Sequence, residues 1–264
     1  MMREVRQVMG SEWTKLWSVR STWWCLAGTV ALMVLSAFTL GGARATDMLN
    51  AAGPGTPFAA TQPVISAAVF VQFTLITLAM LAITAEYAGG GIRTTLQATP
   101  VRGRLLAAKA LVIVPVIFVA GIVSGAVAAG ATYAVLSTEL FGGYATLPPG
   151  RTAVDLARVG AFLALVGLFA LGAGTALRSA AGTLTVVFLA LVGFPMMLVM
   201  TGSEAALAVA MRLPLFAGLA FMGSDDALTG GPMPYPAAEG LGWLVGWAAL
   251  AMGVGYAALR RRDA

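Results

Sequence analysis

Histidine is absent from this chain of 264 residues, and Cys25 is its one cysteine. A lone thiol cannot close an internal disulfide. Without imidazole there is neither a His-dependent nucleophilic triad nor a credible zinc or transition-metal ligand set. The chain also lacks a G-x-x-x-x-G-K-[S/T] phosphate loop, so it cannot take a nucleotide by that device. Charge is scarce: 10% of residues are Asp, Glu, Lys or Arg, against about 25% in an ordinary soluble domain, while 59% are hydrophobic. That balance excludes a water-solvated globule, which would have to bury several all-round apolar helices in one small domain. No internal repeat or low-complexity tract is present.

What the sequence does have is hydrophobic length. A helix needs about 20 apolar residues to cross a bilayer. Charge-free stretches predict six spans, at about 21–43, 63–84, 110–136, 159–177, 180–201 and 240–259. The second is trimmed at its start, because Asn50, Gly53, Pro54, Gly55 and Pro57 make a loop. Ala43-Arg44-Ala45 resembles a signal-peptidase site, but the apolar run before it is too long for a signal peptide and reads as a retained anchor. The expected fold is an all-α integral membrane protein with a single transmembrane domain over 1–264.

The charges orient it. With the N-terminus in the cytoplasm, the inner segments 1–20, 85–109, 178–179 and 260–264 hold twelve of the sixteen Lys and Arg residues, and the outer segments hold seven of the eleven acids. The positive-inside rule then places both termini in the cytoplasm. The same rule explains the net charge of +5 without nucleic acid as a partner. Trp13, Trp17, Trp23 and Trp24 gather at one predicted interface, and Trp243 and Trp247 lie near the opposite one, as anchors.

Before the first span, Val5, Val8, Met9, Trp13, Leu16 and Trp17 recur at helical spacing opposite Arg3, Arg6, Gln7, Ser11, Thr14, Lys15 and Ser18. The pattern predicts an amphipathic elbow helix over 1–20 on the inner leaflet. Between Ser203 and Glu239 the apolar run is interrupted by Arg212 and Pro214. Too short to span, it predicts a re-entrant or interfacial helical segment. Gly121, Gly125 and Gly130, with Gly242 and Gly246, match small-xxx-small packing, within the chain or between two copies.

No ionisable group falls at midplane depth, so an ion-coupled relay has nothing to work with. The strongest polar group inside a span is Gln72, with Thr74 and Thr77 nearby, and these predict mutual hydrogen bonding or a cavity lining. An intramembrane enzyme is disfavoured for the same reason. The informative segment is the basic loop of Glu86-Tyr87-Ala88-Gly89-Gly90-Gly91-Ile92-Arg93-Thr94-Thr95-Leu96, continuing to Pro100 and on through Arg102 and Arg104 to Lys109. Its glycines break the chain, a short helix follows and Pro100 ends it. Ile92, Thr95 and Leu96 share one face at i, i+3, i+4, an apolar knob sized for a partner's groove. Arg102, Arg104 and Lys109 are equally well explained as stop-transfer charges.

This loop, with the Glu12-Trp13-Thr14-Lys15-Leu16 elbow and the broken segment after the fifth span, resembles the type-2 ABC transporter permeases, a six-helix exporter family, along the whole chain. The resemblance implies a homodimer or heterodimer of permeases resting on two separate cytoplasmic ABC ATPase subunits. Glu86, Tyr87, Gly90, Ile92, Arg93, Thr95 and Leu96 would form the ATPase-coupling loop, and Glu12, Trp13, Lys15 and Leu16 the elbow. Gly91 stands where the family often has Ser or Thr as a helix N-cap. The expected function is export of a drug, lipid or peptide across the bacterial cytoplasmic membrane. ATP is hydrolysed in the partner, so this chain is no enzyme and carries no cofactor. The alternative is a non-transporting membrane module that anchors a cytoplasmic partner through the same loop.

Overall fold

A computed structural model describes residues 2–50, 57–98, 101–224 and 233–261; within these, the side chains of residues 2–5, Arg93, Leu96, Ala98 and Leu140 are left aside. The described chain is almost entirely helical. Helix α1 (Met2–Ser18) leads into α2 (Arg20–Asn50), which is followed by α3 (Thr61–Ala88), the short α4 (Gly91–Ala98), α5 (Arg102–Leu136) and α6 (Pro149–Leu177). Then come α7 (Ala180–Phe188) and α8 (Phe194–Met200), joined through a π-helical turn, α9 (Glu204–Ala210), α10 (Pro214–Met222) and α11 (Ala237–Arg261). Helices α2, α3, α5, α6, the joined α7–α8 and α11 are each long and apolar enough to cross a membrane, and together they fit a multi-pass membrane protein.

The helices overrun the charge-free windows. α5 begins at Arg102, eight residues before the predicted 110, and α6 at Pro149, ten before 159. A charge marks where the bilayer ends, not where the backbone stops being helical. Helix α5 runs through Pro115. Helices α9 and α10 are 7 and 9 residues long and bent 71° from one another at Met211–Leu213, so neither spans alone. α10 is buried from Pro214 to Ala220.

Helices α3 and α6 are the central pair: 61% of the apolar window of each is buried, against 22% in α2, α7–α8 and α11. Backbone contact at glycines makes the close crossings. A Cβ on Gly121 would lie 2.9 Å from Gly160 Cα, and one on Gly172 would lie 2.5 Å from the carbonyl carbon of Ala251. On the facing helix, a Cβ on Gly255 would meet Gly172 O at 2.5 Å. Such approaches admit no side chain, as small residues at helix crossings in lipid require. Of the glycines singled out from sequence, Gly121 and Gly125 pack within the chain, whereas Gly130, Gly242 and Gly246 have nothing within 4 Å of a Cβ.

At the end away from α1, two short parallel strands, β1 (Phe58–Ala59) and β2 (Ala145–Thr146), tie the loops together. There the Thr61 hydroxyl donates to Asp155 Oδ2 at 2.5 Å in a buried pair. Asp155, an acid inside helix α6, is thereby hydrogen-bonded instead of stranded.

Candidate functional site

The residues quoted for the elbow and the loop meet at one place. Helix α1 turns Val8, Met9, Glu12 and Leu16 toward the bundle, so Glu12 sits on the packed face between apolar neighbours at i−4 and i+4. Lys109 stands on α5 with Leu105, Leu106, Val112 and Ile113 at i−4, i−3, i+3 and i+4, all buried. Glu86 comes from the last turn of α3.

Lys109 is 1% exposed and its ammonium spends all three N–H bonds: on Glu12 Oε2 at 2.6 Å, on Glu86 Oε1 at 2.8 Å and on the Ala82 carbonyl at 2.9 Å. Lys15 reaches the same two carboxylates, Glu12 Oε1 at 2.8 Å and Glu86 Oε1 at 3.0 Å. Two acids and two bases thus balance within hydrogen-bond range, the condition for holding ions out of water. Burial acts to lower the Lys15 pKa, but the bonds to Glu12 and Glu86 outweigh it and hold the ammonium above its ordinary 10.5. Glu86 Oε2 is buried with no hydrogen-bond partner.

The cluster forms part of the wall of a cavity of about 380 Å³ between α1, α3 and α5. Leu16, Leu78, Leu81 and Val112 supply apolar wall, and Ser18 and Gly89 lie at its exposed end.

The loop itself departs from the expected knob. Ile92 is 3% exposed and belongs to the same buried apolar cluster as Leu16, Leu105 and Leu106. It anchors α4 to its own chain and is not offered to a partner, because an isoleucine next to a bundle buries itself there first. Thr95 is half-buried and the exposed side of α4 carries Thr94 and Gln97; the side chains of Arg93 and Leu96 lie outside the described residues, as does Pro100. Gly90 has φ +69°, a conformation open to glycine at little cost, and makes the turn from α3 into α4.

Tyr87 is covered by the Arg178 guanidinium, 4.9 Å above its ring. Arg178 itself closes α6 at φ +57°, a left-handed position where glycine is usual. Arg102, expected to serve topology, donates to the carbonyls of Leu259 and Arg260 and so caps the end of α11. Trp13 and Trp17 stack edge to face at 5.5 Å, with Trp13 half exposed.

The three interior polar residues do not gather. Gln72 is buried and its amide donates to Val69 O, leaving Oε1 without a partner. Thr74 meets Thr29 of α2 at 2.7 Å, and Thr77 bonds Phe73 O beside a shallow groove toward α7. Each hydroxyl is satisfied by its own helix, so the residues face different neighbours.

Glu12 and Glu86 stand out in the sequence with the elbow and the loop, whereas the signal at Lys109 lies in its neighbours. A lysine with apolar residues at i±3 and i±4 has no polar side on which to snorkel, so it requires a buried counter-charge. Among the described residues no group of three or more Cys, Asp or Glu comes close enough to hold a metal ion. Comparison with protein-family models and with curated proteins gives no match for this chain.

Proposed function

We propose that the chain is the membrane-spanning subunit of an ATP-driven exporter of the type-2 ABC permease kind. It works in the bacterial cytoplasmic membrane with a separate ATPase and a second permease copy or paralogue, and moves a hydrophobic or amphipathic substrate. The observation that carries this reading is the Glu12–Lys109–Glu86 cluster, which joins the elbow helix, the end of α3 and the start of α5 at the face richest in basic residues. A partner pressing on α1 or α4 from the cytoplasm would move α5 through short charge-assisted bonds, without slack. The cation over Tyr87 and the Arg102 cap extend the same layer to α6 and α11.

The test is to extract the native chain in mild detergent, recover its partners and assay them for ATP hydrolysis. Co-recovery of an ATPase whose activity rises with the permease supports export; recovery of partners without one supports the anchoring alternative. Orientation has its own measurement. In a Cys25-free background, a cysteine at exposed Gln97 should resist impermeant thiol reagents in intact cells, and one at exposed Gly150 should react. Labelling at Gln97 would reverse the topology and remove the cytoplasmic partner.

A further inference from the structure

We propose that an anionic diacyl phospholipid binds where α1, α2 and α5 meet, with one acyl chain in an apolar trough and its phosphate held by Arg6 and Arg20. The trough measures about 370 Å³, within the range of about 300–1,000 Å³ usual for small-molecule sites, and apart from the indoles of Trp13 and Trp17 its lining side chains are Leu, Val, Ala and Pro. Along α5 the lining runs from Pro115 to Val123, about 12 Å at the helical rise, close to the roughly 15 Å of hydrocarbon in one leaflet. Val119 and Val123 are half-exposed, so the trough opens on the outer surface of the bundle, where a membrane-spanning chain meets acyl chains. Its occupant therefore comes from the lipid phase, and the tryptophans mark the end where headgroups lie.

The sign of the head follows from the charges at that end. Arg6 precedes Trp13 by seven positions, about two helical turns, so the two stand on one side of α1. Arg20 opens α2 three positions after Trp17, and the Trp23 indole donates to Trp17 O at 3.4 Å, which holds that start of α2 against α1. Arg6 and Arg20 are both exposed, and neither enters an ion pair among the described residues. Glu12 cannot answer them, because it faces the bundle and is spent on Lys109 and Lys15. Two unmatched guanidiniums beside an apolar trough call for a phosphate carried on an acyl chain. Phosphatidylglycerol supplies it with net negative charge, whereas phosphatidylcholine carries its own cation and gains little.

The site needs neither ATPase nor transport, so it stands or falls apart from the exporter reading. The full chain in phosphatidylcholine nanodiscs is given increasing fractions of phosphatidylglycerol with brominated acyl chains, which quench indole fluorescence on contact, and brominated phosphatidylcholine is the comparison. A saturable step of quenching is expected, reached at a fraction of phosphatidylglycerol lower by about tenfold or more than that of phosphatidylcholine. Glycerol 3-phosphate, a head without a chain, should leave the step unchanged. Arg6→Gln with Arg20→Gln should bring phosphatidylglycerol to the level of phosphatidylcholine. Ala120→Phe, which fills the trough and leaves both arginines in place, should abolish the step for either lipid. Equal affinity of the native chain for the two lipids, a preference for phosphatidylglycerol that survives the double arginine variant, displacement by glycerol 3-phosphate, or a step that persists in Ala120→Phe overturns the proposal. So does the absence of any step, as when a second copy covers the trough. Should Ala120→Phe fail to fold, Val119→Phe at the exposed edge repeats the test.

Discussion

The bundle is held by two opposite devices. Where α5, α6 and α11 cross, the contact is made by removing side chains: Gly121 on Gly160, Gly172 against Ala251, Gly255 on the Gly172 carbonyl. At the α1 end the contact is made by adding long charged side chains, with Lys109 threaded between Glu12 and Glu86. The first device suits a lipid environment, where no hydrophobic force separates helices from acyl chains and close van der Waals approach has to bind them. The second suits a boundary between water and lipid, where charges are plentiful but must be matched one by one once covered. Glycine contacts tolerate no insertion, whereas ion pairs tolerate exchange provided the balance is kept.

That difference can be broken from the charged side first. Lys109→Met leaves Glu12 and Glu86 with the half-exposed Lys15 as their one cation and should cost about 3–5 kcal/mol, read as a lowered unfolding temperature in mild detergent. Adding Glu12→Gln and Glu86→Gln to Lys109→Met should recover most of that loss, because the one charge left, on Lys15, is 45% exposed and reaches water. Failure of the triple variant to recover would mean that the cluster's shape, and not its balance, holds the end together.

On the glycine side the same measurement should behave differently. Gly172→Val drives a side chain into the backbone of α11 and should cost about 1–3 kcal/mol or more. No second substitution on α11 should rescue it, because the obstacle is the Ala251–Met252 backbone itself. Rescue would show that α6 and α11 can slide, and the contrast with the charged end would blur.

Two smaller effects sharpen the contrast. Lys15 is 45% exposed, so Lys15→Gln should cost under about 1 kcal/mol. Its pKa is raised above 10.5 in the folded chain, so its contribution is complete at neutral pH and disappears as the pH rises through that folded value. The small Lys15→Gln difference should therefore vanish in strongly alkaline unfolding measurements, and Lys15→Gln serves as the reference in that comparison. Gly246, with open space around it on α11, should accept alanine at no cost or with a gain of about 0.5 kcal/mol from helix propensity. A marked loss in Gly246→Ala would reveal a neighbour at that face.

What is legible in the sequence follows the range of the forces involved. Six apolar helices were legible because hydrophobic length is a local property, read residue by residue along the chain. The glycine break and the short helix before Pro100 were legible for the same reason, since Gly90 supplies the turn that α4 needs. That Ile92 is buried against its own chain is not legible, because periodicity gives a face of a helix but not what that face meets. Nor does spacing along α3 and α5 tell Gln72, Thr74 and Thr77, or Gly121 and Gly130, which neighbour they will have.

By itself the sequence determined a helical, membrane-adapted chain, its breaks and the uneven placement of its charges, all consequences of composition and of the helix repeat. Only the tertiary structure decided that Lys109 shares one buried site with Glu12, 97 positions away along the chain, and Glu86, 23 positions away. It also decided that Gly172 and Gly255 lie backbone to backbone. Ion pairing and close contact act over a few ångströms in space, and sequence separation carries no information about that distance until the helices have packed.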